Sequence, residues 1–113
     1  MNTETLAAIA TELGCECQEE NPGTIFFPWG GSLCLYFTRG LIHISGDFPR
    51  SDGRCWAQCW ESHGIIVSER RLPEQIARDI EHHILPGYRP AYEAAVVAMN
   101  VFKAVQRRRA AIG

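Results

Sequence analysis

Lysine is almost missing from this chain: Lys103 stands alone, and ten of the eleven basic residues are arginine. Arginine suits bidentate contacts with carboxylate or phosphate and stacks on aromatic rings, so the bias favours recognition over simple solvation. A high-GC genome gives the same bias. Missing too is any apolar run long enough to cross a membrane, and the N-terminus has no basic region followed by an apolar stretch, so no secretory leader is expected. The cysteines number five, which is odd, and that points to a reducing cytoplasm and not to a disulfide framework.

Several chemical signatures are absent as well. No pair of close C-x-x-C arms is present, nor a G-x-S-x-G nucleophile turn, and Gly30-Gly31 lacks the spacing of a phosphate-cradling loop. No catalytic residue, metal or cofactor is therefore expected, and the chain is read as a non-enzyme. The sharpest metal alternative is Cys55, Cys59 and His63, which converge only if residues 55–63 are helical. Two tryptophans in the same stretch fit a strand better, and buried free thiols account for the cysteines. His82-His83 ends a helix, where imidazole complements the dipole.

What is present is one domain over 1–113, with a hydrophobic fraction of 46% that supplies a core without staples. Leu6, Ile9, Ala10 and Leu13 predict a helix over about 3–13 closed by Gly14. Cys15 and Cys17 alternate with polar neighbours as in a strand with its cysteines inward, Asn21-Pro22-Gly23 turns into Thr24–Phe27, and Pro28–Gly31 turns again. Leu33, Leu35 and Phe37 alternate against Cys34, Tyr36 and Thr38, and Gly40 separates this strand from Leu41–Ser45. Residues 46–53 read as a surface loop and Ile65–Val67 as a final short strand. Pro73 opens a helix carrying Ile76, Ile80 and Ile84; Pro86-Gly87 predicts a reversal, and Pro90 a second helix turning Tyr92, Val96, Met99 and Phe102 to the core. The expected fold is α+β: an N-terminal helix, an antiparallel β-meander, and two C-terminal helices, 73–85 and 90–108, packed on the sheet.

The net charge of −2 is unevenly spread, since residues 1–22 hold five glutamates and no basic residue, while residues 70–113 hold eight basic residues against four acidic ones. This excludes a surface built wholly to neutralise phosphate. Aromatic and arginine residues dominate binding hot spots. Trp29, in a Pro-Trp-Gly-Gly turn, is expected to be exposed, and with Arg50, Asp52, Arg54, Trp56 and Trp60 it is the candidate partner-binding set. Arg107, Arg108 and Arg109 are the alternative, a nucleic-acid contact, although a positive helix end is also favoured by the dipole alone.

Leu41–Pro49 (LIHISGDFP), Ile66-Val-Ser68, the Pro-Glu…Leu-Pro helix over 73–86 and Tyr88–Tyr92 resemble small uncharacterised proteins of bacterial phages, plasmids and integrated elements. The resemblance spans about residues 41–95, and the segment Cys55–His63 departs from it. It implies a bacterial host cell and a protein that binds and blocks a host defence complex, with a CRISPR effector as one target class and anti-CRISPR-like occlusion as the mode. A nucleic-acid-associated accessory or regulatory role is the competing expectation.

Overall fold

The computed structural model describes residues 3–17, 23–51, 54–55 and 64–112. Helix α1 (Thr3–Leu13) buries Leu6, Ile9 and Ala10. It ends as its sequence predicts, in a Schellman closure: Gly14 adopts φ +69°, its N–H donates to the Thr11 carbonyl, and the Cys15 N–H donates to the Ala10 carbonyl.

Five strands follow the order β1 (Glu16–Cys17), β2 (Thr24–Phe26), β3 (Ser32–Thr38), β4 (Leu41–Asp47) and β7 (Gly64–Ser68), every neighbouring pair antiparallel. β3 and β4 are joined by Arg39 and Gly40, both at positive φ, the backbone that a two-residue hairpin needs to match strand twist. A separate ribbon pairs β5 (Arg50–Ser51) with β6 (Arg54–Cys55). The loop expected over 46–53 is thus shorter, because Gly46 and Asp47 extend β4 and residues 50–51 pair with 54–55.

Alternation sorts the sheet into two faces. Ile25, Leu33, Leu35, Ile42, Ile44 and Val67 point toward the helices and form one core with Leu6 and Ile9 of α1 and with Ile76 and Ile80 of α2 (Pro73–His83). Pro73 occupies the first helical position, and the Gln75 Oε1 accepts the Leu72 N–H at 3.3 Å, satisfying a donor that the helix leaves unpaired.

Helix α3 (Leu85–Ile112) departs from expectation at both ends. Pro86-Gly87 does not reverse the chain. Only Ile84 separates α2 from α3; its N–H still donates to Ile80, and its carbonyl accepts both Gly87 and Tyr88 N–H groups. Pro86 then lies in the first turn of α3, where a missing N–H has no partner to lose, and Pro90 falls inside the helix. Tyr88 and Ala95 are buried, but Tyr92, Val96, Met99 and Phe102 are only half-buried and no described residue after Ala95 is buried. The last four turns run past the core instead of covering it. Accordingly the molecule measures 57 × 27 × 25 Å, with a radius of gyration of 16.2 Å, against about 13 Å for a compact chain of this length.

Candidate protein-binding surface

The face of the sheet away from the helices is built by the outward halves of β3, β4 and β7. Register places Tyr36 beside His43 and His43 beside Ile66; the next rows are Thr38, Leu41 and Ser68 on one side and Cys34, Ser45 and Gly64 on the other. The Tyr36 and His43 rings stack at 4.4 Å and 5°, and the His43 Nε2 lies 2.8 Å from the Thr38 Oγ1, so the two rings are held against each other. Tyr36, Leu41 and Ile66 are 57%, 41% and 60% exposed, which is unusual for three large apolar side chains on adjacent strands. Tyr36 and Ile66, with His43, Ser45 and Gly64, line a shallow depression of about 490 Å³.

Trp29 occupies a different region and is half-buried, contrary to its expected exposure. Its ring stacks on Phe27 at 5.0 Å and meets Tyr88 and Tyr92 at 5.9 and 5.6 Å, and the Arg89 guanidinium carbon sits 4.9 Å over it. Phe48 closes the cluster edge-on to Tyr88. The Tyr92 hydroxyl donates to the Gly30 carbonyl at 3.0 Å. A Cβ at Gly31 would come within 2.3 Å of the Trp29 ring, so any other residue there forces the ring to move. These contacts clamp the β2–β3 turn to α3.

Tyr88 is the centre of that clamp. Its hydroxyl accepts the Ser32 N–H at 3.0 Å and has one proton to share between the Ser32 carbonyl, at 2.9 Å, and the Asp47 carbonyl. Gly46 lies beneath the ring, where any Cβ would approach within 2.3 Å. Burial, partly offset by the hydrogen bond from Ser32, pushes the phenol pKa up to about 12, so the hydroxyl stays protonated and acts as a structural donor.

Of the other candidate residues, Arg50 and Arg54 belong to the β5–β6 ribbon, where Arg50 pairs with Cys55 and Ser51 with Arg54. Asp52, Trp56 and Trp60 lie outside the described residues, as do Cys59 and His63. Cys55 is in a strand, not the helix that a Cys55–Cys59–His63 metal site requires. Among the described residues no three His, Cys, Asp or Glu side chains converge to hold a metal. Cys15 and Cys17 differ from the inward strand pattern: Cys15 is half-buried and Cys17 exposed. Burial, then the neighbouring Cys17, raises the Cys15 thiol to about 11. His82 and His83 are exposed in the last turn of α2, and Arg107, Arg108 and Arg109 are exposed near the end of α3.

Tyr36 on its outward strand position was readable from the alternation of β3. That the rows of β4 and β7 would bring Leu41, His43 and Ile66 beside it was not, because it depends on which strands pair. No helix among the described residues is long and apolar enough to cross a membrane. Comparison with protein-family models, with curated proteins and with solved structures returned no match.

Proposed function

We propose that this chain is a protein-interaction module that occludes a partner surface, and that the partner is a host defence complex of the bacterial cell, inhibited in an anti-CRISPR-like manner. The observation carrying the binding role is the exposed Tyr36–His43–Ile66 row with Leu41 beside it, a rigid apolar and aromatic patch on a sheet whose opposite face is already filled. Such a patch releases water on docking and loses little side-chain entropy, since the Tyr36 ring is already stacked. The choice of a defence complex rests on the resemblance to proteins of mobile elements. Trp29, Arg50, Asp52, Arg54, Trp56 and Trp60 are a second contact set on the same proposal.

Affinity capture with the tagged full chain from a bacterial host, followed by assay of purified CRISPR effectors for loss of target binding, tests this reading. Tyr36→Ala and Ile66→Asp should each weaken capture by at least about tenfold, the effect of a hot-spot residue, with melting unchanged. Capture that survives both substitutions rejects the sheet face as the contact. The second reading, a nucleic-acid accessory, is favoured by Lys103, Arg107, Arg108 and Arg109 being exposed together along the free part of α3. It predicts an affinity for nucleic acid that falls log-linearly with salt and is lost when Arg107–Arg109 are replaced by alanine.

A further inference from the structure

The part of α3 beyond the core is apolar on two sides. Tyr92, Met99 and Phe102 continue the side on which Tyr88 and Ala95 are buried, and all three are half-buried. The opposite side carries Ala94, Val97, Val101 and Ala104 at spacings of three, four and three, the seam of a helix that packs on another helix. Ala94 and Ala104 are exposed, and Val97 and Val101 are 62% and 58% exposed, so among the described residues nothing covers this seam. An exposed apolar stripe of this kind gains free energy when a partner takes it out of water.

The flanks of the seam say what covers it. One edge carries Glu93, Asn100 and Arg107 at heptad intervals, and the other carries Ala98 and Val105. We infer that α3 pairs antiparallel with α3 of a second copy of this chain, forming a homodimer through Ala94, Val97, Val101 and Ala104. In that arrangement Val97 faces Val101 of the second copy, and Ala94 faces Ala104, twice each by symmetry. The small side chains let the two backbones approach closely. The same register sets Glu93 against Arg107 of the second copy at both ends, with Asn100 meeting its own equivalent at the centre. Glu93 already receives Arg89 of its own helix at 3.4 Å, and its carboxylate has acceptor capacity for a second arginine. A parallel pairing would instead bring Arg107–Arg109 of both copies to one end, where they repel. The docking face lies opposite Tyr88 and Ala95, so the body of each protomer stays clear of the seam. The inference is independent of the sheet-face proposal, which uses a different surface.

Two heptads make a small interface, so the dimer is expected to be reversible and concentration-dependent. Sedimentation equilibrium of the full chain from about 1 to about 500 μM, a range that brackets micromolar association, should show a monomer–dimer equilibrium. Val101→Glu should abolish the dimer while the circular dichroism and melting of the dilute monomer stay as in the parent, because Val101 is exposed there. Glu93→Arg should raise the dissociation constant by at least about tenfold by placing arginine against arginine twice, and Glu93→Arg with Arg107→Glu should restore it. A chain that remains monomeric over the whole range overturns the inference. So does a dimer indifferent to Val101→Glu, and a double charge swap that fails to recover the loss rejects the antiparallel register.

Discussion

Tyr88 does at the level of one side chain what several turns could not: it fastens α3 to the ends of β3 and β4 through Ser32 and Asp47, over the only kind of residue that fits beneath it, Gly46. Tyr88→Phe removes the hydroxyl from those backbone partners and should cost about 1–2 kcal/mol in denaturant unfolding. Gly46→Ala should cost about 1–3 kcal/mol or more, since the added methyl meets the ring and not open space. The raised phenol pKa gives a signed pH dependence. The folded state holds its proton to about 12, whereas an unfolded tyrosine releases it near about 10, so the Tyr88 contribution to stability is full below pH 10 and falls by on the order of 2 kcal/mol as pH rises from 10 to 12. Chemical unfolding at several alkaline pH values should show a fall between pH 10 and 12 that is smaller in Tyr88→Phe than in the parent, the difference being the Tyr88 contribution. Cys15, raised to about 11, leaves about one thiolate in a thousand at pH 8, so its alkylation in the native protein should lag well behind that of the denatured chain.

At the scale of elements, what the sequence makes legible is what local periodicity governs. The span of α1, the Gly14 closure, the alternation of β3 and β4 and the start of α2 at Pro73 all follow from spacing and cap chemistry. Where distant residues decide, local signals mislead. Pro86-Gly87 carries turn chemistry, yet the Ile84 carbonyl holds both Gly87 and Tyr88 N–H groups and the chain continues as helix. The Pro-Trp-Gly-Gly turn looks solvent-facing, yet Tyr88, Arg89 and Tyr92, some sixty positions on, close over Trp29. Gly46-Asp47 reads as loop, but the Tyr88 hydroxyl binds there and β4 runs on. Burial along the helices predicts very unequal sensitivities. Ile80→Ala, at a fully buried site, should cost about 2–5 kcal/mol, whereas Val97→Ala at low protein concentration should stay within about 0.5 kcal/mol, as measured by thermal or urea unfolding.

For the molecule as a whole, the sheet separates two kinds of surface: a core side completed by α1, α2 and the first turns of α3, and an open side that keeps Tyr36, Leu41 and Ile66 in solvent. Small-angle scattering at low concentration should return a radius of gyration near 16 Å; a value near that of a compact chain, about 13 Å, would mean that the distal part of α3 folds back on the body. That distal part also sets how the protein moves as a rigid object. With one axis of 57 Å and two of about half that length, rotation about the long axis is faster than end-over-end tumbling. Amide bonds in a helix lie nearly along its axis, so where α3 follows the long dimension, its N–H vectors sense mainly the slow rotation, while vectors that cross that dimension sense the fast one as well. Heteronuclear spin relaxation should therefore assign α3 a longer apparent correlation time than residues whose N–H bonds run across the long axis, a difference that orientation alone produces and that internal motion would mask by acting in the opposite sense.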